Sequence, residues 1–186
     1  NTFVGASAGT GGTTSAPYSS GNYNTAMGYQ AFTAHTTAHS NVVIGYQTGD
    51  AITTSAYNTI VGNGAAGALT GGDGQNVVIG RSAGSTATTA MRKCVYIGND
   101  AGGKMDADGF NTAVGFASME GGSTGNDAAY NTALGYQTLL AITDGDYNVA
   151  IGANAGDAVT TGAYNVAIGS NAGGGLTTGD TNILIG

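Results

Sequence analysis

Hydrophobic residues recur along this chain in one short phrase, Asn followed by two variable residues, an aliphatic residue and Gly. It occurs at Asn1–Gly5, Asn24–Gly28, Asn41–Gly45, Asn58–Gly62, Asn76–Gly80, Asn111–Gly115, Asn131–Gly135, Asn148–Gly152, Asn165–Gly169 and Asn182–Gly186. Cys94–Gly98 is the same unit with Cys in place of Asn. The closing glycines are spaced 23, 17, 17, 18, 18, 17, 20, 17, 17 and 17 residues apart. A unit this short cannot enclose a core alone, so the period predicts one coil of a stack per unit. The expected fold is all-β: a parallel β-solenoid, or β-roll, of about 10–11 coils with repeats of 17–18 residues.

With Asn as position 0, position 1 is Thr or aliphatic and position 3 is Val, Ile, Leu or Met throughout, as in Val149 and Ile151. Period-2 alternation puts both on one face of a strand, and β-branched residues suit a packed pleated surface. These two columns are expected to form the dry interior. Position 2 is apolar as well, with Ala the commonest residue beside Phe3, Val43, Ile60, Val78, Tyr96 and Leu184. A strand apolar on both faces needs cover on both, which predicts that further copies pack against position 2, as in a homotrimer.

Position 4 is Gly in every unit, marking a sharp turn or close backbone approach. Position 7 is small and is often followed by Gly, the expected second corner. Position 11 is often apolar (Ile52, Leu69, Met105, Ile142, Val159, Leu176) and position 12 is mainly Thr, which predicts a short second strand through positions 10–13. The asparagines Asn24, Asn41, Asn58, Asn76, Asn111, Asn131, Asn148 and Asn165 are expected to stack amide on amide as a structural ladder. Aromatic residues precede several of them (Tyr23, Tyr57, Phe110, Tyr130, Tyr147, Tyr164), and a second aromatic column follows the Gly (Tyr29, Tyr46, Phe116, Tyr136). Both suit stacking that rigidifies a corner, or a rim that contacts sugars. Extra residues fall between position 13 and the next Asn, chiefly at Ser15–Tyr23 and Gly125–Tyr130. Tyr18, Asn22, Tyr23, Asn126 and Asp127 in these insertions are the candidate surface contacts.

Composition narrows the function. Gly is 35 of 186 residues but not every third one, which excludes collagen. Only 8% of residues are charged and the net charge is −7, with Arg81, Arg92, Lys93 and Lys104 the only Lys and Arg. They form no phosphate-tracking stripe, so nucleic acid is not an expected partner, although a local anion contact in the central coils is conceivable. Cys94 stands alone, and no apolar run is long enough to insert in a membrane as a helix. Both ends fall inside a repeat, so residues 1–186 are expected to be a single repeat segment within a longer fibrous protein.

Candidate chemistry is sparse. His35 and His39, four apart, suit a metal pair only on a helix, and no Cys or third His completes a zinc site. Thr70–Gln75 has a superficial likeness to a calcium roll without its nine-residue period, so calcium finds no support, and no cofactor is expected. Asp106 with Asp108 and Asp144 with Asp146 are the only close carboxylate pairs, both at turns with no cleft to desolvate them. An enzyme is not expected.

Tyr147–Gly156 and Tyr164–Gly173, which read Tyr-Asn-Val-Ala-Ile-Gly-Ala/Ser-Asn-Ala-Gly, resemble the head repeats of trimeric autotransporter adhesins. Asn24–Ala31 and Asn131–Thr138, reading Asn-Thr-Ala-Met/Leu-Gly-Tyr-Gln-Ala/Thr, are also similar to bacteriophage tail-fibre repeats. The first resemblance implies a left-handed parallel roll with Val149 and Ile151 inside, three rolls sharing one axis. Adhesin heads use repeats shorter than the 17–18 residues here, which favours the fibre-type relatives. The expectation is therefore a structural and host-surface-binding segment of an extracellular homotrimeric fibre, a phage tail fibre in the virion. Its partners would be itself, with end-to-end stacking an option, and a cell-surface glycan or protein receptor. The alternative is a bacterial surface adhesin head or self-assembling extracellular filament. An ice-binding solenoid presenting the Thr column is a third reading.

Overall fold

The computed structural model describes residues 1–12, 20–88, 91–106, 109–122 and 126–186. Every unit contributes one three-residue strand: β1 (Thr2–Val4), β2 (Thr25–Met27), β3 (Val42–Ile44), β4 (Thr59–Val61), β5 (Val77–Ile79), β6 (Val95–Ile97), β7 (Thr112–Val114), β8 (Thr132–Leu134), β9 (Val149–Ile151), β10 (Val166–Ile168) and β11 (Ile183–Ile185). They form a single parallel sheet in sequence order, with each strand paired only to its neighbours in the chain. The register is strict: position 1 pairs with position 1, 2 with 2 and 3 with 3 in all ten pairings. The predicted parallel β-solenoid is the fold, and no described residue is helical.

The faces of the strand are the reverse of the expectation. Position 2 points inward: Ala26, Val43, Ile60, Val78, Ala113 and Ala133 are completely buried. Positions 1 and 3 point outward and are half-buried or exposed in every strand. Parity supplies the reason. The Asn at position 0 is buried, and a period of two places position 2 on its side and positions 1 and 3 on the other. The core is completed by the small residue at position 7, by position 8 and by position 11, where Ile52, Leu69, Met105, Ile142 and Val159 are buried.

Positions 2 and 8 share one space, and in several coils their sizes are complementary. Ala26 faces a coil with Phe32 at position 8, Ala113 one with Met119, and Ala133 one with Leu139, all buried. Large residues at position 2 require the opposite. A Cβ on Gly9 would lie 2.4 Å from the Phe3 ring, and one on Gly102 would lie 2.6 Å from the Tyr96 ring. Native packing density leaves no room for two large side chains here.

Among the described residues the expected second strand at positions 10–13 is absent; apart from an isolated parallel bridge at Met105, this stretch is turn and irregular backbone. It is joined from coil to coil by single bonds that Thr at position 12 doubles. The backbone N–H of Thr53 donates to the carbonyl of Thr70 at 2.7 Å, and its hydroxyl donates to the same oxygen at 2.7 Å. Thr36, Thr70, Thr143 and Thr160 repeat this arrangement toward Thr53, Thr88, Thr160 and Thr177.

The chain turns through left-handed backbone at three fixed columns. All described non-glycine residues with positive φ lie at positions −1, 6 and 8, for example Tyr147 (56°), Asn154 (55°) and Leu139 (49°). Position 4 needs a different state, φ between 125° and 152°, which L side chains rarely adopt. There the backbones also touch: a Cβ on Gly45 would lie 2.0 Å from the carbonyl oxygen of Gly62. Gly45→Ala is therefore expected to cost about 3 kcal/mol or more. Gly64, at φ 63° with open space beside it, should accept Asn at a cost under about 1 kcal/mol. Thermal unfolding of both variants checks the contrast, and equal losses would refute it.

Candidate functional site

The Asn column is an inner hydrogen-bond ladder. The Oδ1 of Asn41 accepts from the backbone N–H of Asn58 and from its Nδ2, both at 2.9 Å. Asn24 and Asn58 accept the same pair of bonds from Asn41 and Asn76. Asn111, Asn131, Asn148 and Asn165 do so from Asn131, Asn148, Asn165 and Asn182. Spare Nδ2 protons go to a carbonyl at the last corner of the same coil, as from Asn24 to Ala38, Asn148 to Gly162 and Asn165 to Gly179. All eight predicted ladder residues are buried. With partners for both ends of the amide, burial costs little; without them each group would cost about 1–3 kcal/mol.

Cys94 interrupts this ladder. It receives the Oδ1 of Asn76 on its backbone N–H at 2.9 Å but returns only a thiol. The Tyr96 hydroxyl lies beside that thiol and the Asn111 side chain, within hydrogen-bonding reach of both. Burial pushes the Cys94 thiol up and the Tyr96 phenol well up, so both stay protonated and act as polar filler. The small Cys and the large Tyr thus act as a coupled pair.

The outer surface carries three ladders. The first is the pair of columns at positions 1 and 3, aliphatic throughout at position 3 and aliphatic or Thr at position 1, with Val4, Met27 and Leu134 about half exposed and Ile151 and Ile168 over a third. The second is the aromatic column at position −1. Phe110, Tyr130, Tyr147 and Tyr164 stack in one run with centroids 4.8, 4.8 and 5.0 Å apart. The loss of water among the rings raises the Tyr147 phenol, and Tyr130, Tyr164 and Asp146 add to it. The third, at position 5, has only ring pairs, Tyr29 with Tyr46 at 5.4 Å and Phe116 with Tyr136 at 5.5 Å.

No protein-family model, curated protein or solved structure matches the chain.

Of the predicted surface contacts, Asn22, Tyr23 and Asp127 are exposed, Tyr23 at 83%. Tyr18 lies outside the described residues. Asn126 is not a surface residue: it is 1% exposed, bridges to Met105, and its Nδ2 donates to the Lys104 carbonyl at 3.2 Å. The central cations are engaged by neighbours. Arg81 pairs with Asp100 at 2.8 Å and Lys104 with Glu120 at 2.9 Å, around a shallow depression of about 240 Å³ that also includes Ser82, Ser85 and Thr86. Arg92 and Lys93 lie over the Phe110 ring at 5.6 and 5.3 Å.

The histidines do not converge. His35 is buried, stacked on Phe32 at 4.6 Å with the Phe3 ring edge-on at 5.4 Å, and its Nδ1–H donates to the Phe32 carbonyl. His39 meets the Tyr57 ring instead. Among the described residues no three His, Cys, Asp or Glu side chains form a group able to hold a metal. Asp106 accepts from the Thr88 hydroxyl and Asp146 from the Ala129 N–H, so each serves as a coil-to-coil acceptor, while Asp108 lies outside the described residues. Sequence reasoning missed the outward columns: parity sets them opposite the Asn column, but it is the structure that shows the Asn column to be buried.

Two outcomes follow. Cys94→Asn should destabilise the chain by about 1–3 kcal/mol beside Tyr96, and much less beside Tyr96→Val. A double-mutant cycle in urea measures the coupling, and additivity within about 0.5 kcal/mol refutes it. Burial lowers the His35 pKa, so the folded chain binds fewer protons than the unfolded one. The stability His35 supports is complete above about pH 6.5 and falls as pH drops from there toward the lowered folded value. The slope in this window should shrink in His35→Leu.

Proposed function

We propose that this chain is a shaft segment of an extracellular fibre, in which three parallel copies pack through the outward columns of positions 1 and 3. The observation that carries this is an apolar face that runs the length of the sheet. Two columns of Thr, Val, Ile, Leu and Met on eleven rungs cover roughly 50 Å by 10 Å at strand and rung spacing. Single chains in water rarely leave so regular a patch bare. Each large aliphatic side chain covered by a partner contributes about 1.5–3 kcal/mol, so repetition along the rod supplies the affinity without any pocket. The contact assigned at first to the Ala column passes to the larger residues on the other side of the strand.

The similarity of Asn24–Ala31 and Asn131–Thr138 to tail-fibre repeats, together with the 17-residue spacing, supports a phage tail fibre that carries or presents host-attachment surfaces. Exposed corner residues such as Asn22, Tyr23 and Asp127, repeated on three copies, would give weak contacts that add through avidity. The Thr column suits a structural role more than an ice-facing one, because its hydroxyl protons are directed to carbonyls of the next coil.

Light scattering coupled to size exclusion tests the assembly. The expected species has three times the mass of the 18.0 kDa chain. Ile151→Lys with Ile168→Lys should yield folded monomers with the same circular dichroism. A folded wild-type monomer at micromolar concentration would sink the proposal.

A further inference from the structure

Phe110, Tyr130, Tyr147 and Tyr164 stack on four successive coils with interplanar angles of only 2–4°. Each has φ between 56° and 66°, a left-handed state that is unfavourable for an L side chain. Four rings form only three stacked pairs, so stacking does not by itself offset the left-handed backbone at all four positions. The tyrosines nevertheless stay 45–59% exposed. Structural need leaves this run of rings unexplained.

The stack determines what it can bind. Ring faces are turned to one another, so a sugar seeking a free face finds none along the column. What points outward is a row of ring edges and hydroxyls at the strand spacing, parallel to the rod axis. A flat conjugated molecule lying lengthwise meets every ring in the row, whereas a compact one meets only one or two. The position-5 column offers no comparable length, since its stacks stop at two rings.

Charge selects further. Asp146 and Asp180 border the column, held by the N–H groups of Ala129 and Ala163 at 2.8 Å. From Met105 onward the chain has eight carboxylates and no Lys, Arg or His. The only cations at the stack, Arg92 and Lys93, cover Phe110 at its far end. We infer that this corner binds elongated, planar, cationic aromatic molecules, aligned with the rod axis and seated along Tyr130, Tyr147 and Tyr164.

Thioflavin T, a cationic flat dye, is the probe, titrated into the intact chain by fluorescence. A saturable enhancement is expected that weakens with added salt, because attraction between exposed charges is screened. Tyr147→Asn splits the stack with a residue that tolerates left-handed backbone, and should weaken binding at least tenfold with unchanged circular dichroism. Tyr164→Asn, at the end of the run, should weaken it less and serves if the first variant misfolds. Tyr29→Asn, in the two-ring column, should change it less than twofold. Absence of enhancement, or equal loss in Tyr29→Asn and Tyr147→Asn, overturns the site. Equal enhancement of the anionic dye anilinonaphthalene sulfonate overturns its charge selection. The site lies within one chain and stands or falls separately from association through the strand faces.

Discussion

Every coil of this molecule is held against the next by backbone contact at one column of glycines. Between Gly45 and Gly62 there is no room for even a methyl group, and the same holds at Gly28, Gly80 and Gly115. The contact fixes the phase of each coil relative to its neighbour. A slip of one residue would drive a side chain into the neighbouring carbonyl and put the Asn column out of step. The strict register of the eleven strands follows from this constraint as much as from strand hydrogen bonds, which number few in strands three residues long.

Once phase is fixed, each side chain meets its own kind above and below. Where the residue has both donor and acceptor, the column becomes a hydrogen-bond ladder, as with Asn inside and Thr at position 12. Where it is a flat ring, the column becomes a stack. Where it is aliphatic and outward, it becomes a continuous apolar strip that association can cover. Like charges would repel in such a column, consistent with a chain only 8% charged and with the pairing of Arg81 with Asp100 and of Lys104 with Glu120 across successive coils. The interior is not a strict repeat. At position 2 it holds rings at Phe3 and Tyr96 opposite Gly at position 8 and Ala opposite Phe32, Met119 and Leu139, and the Tyr96 hydroxyl lies beside the Cys94 thiol.

The period, the parallel stacking, the turn at each Gly and the Asn ladder were legible in the chain, because each depends on residue type at a fixed spacing. Ile52, Leu69 and Ile142 were legible as a second apolar column for the same reason. The second strand was not there to be found: apolar residues followed by Thr suggest β structure, but the chain bends through this segment and shares single bonds between coils. Phe32, Met119 and Leu139 escaped notice as core because Gly occupies their column in most other coils. Asn126 looked exposed because insertions commonly are, yet its amide finds the Lys104 carbonyl within the fold.

Sequence alone determined that the units stack, and how far apart along the chain they do so, since any other arrangement would scatter the phased Asn, Gly and aliphatic residues. It could not decide which side of the strand faces in, because both sides are apolar and a period of two is blind to that choice. Only the tertiary structure made the assignment. A coil this narrow has space beside its buried amides for one strand side chain per rung, and that space is shared with position 8, so the larger aliphatic pair is left facing out.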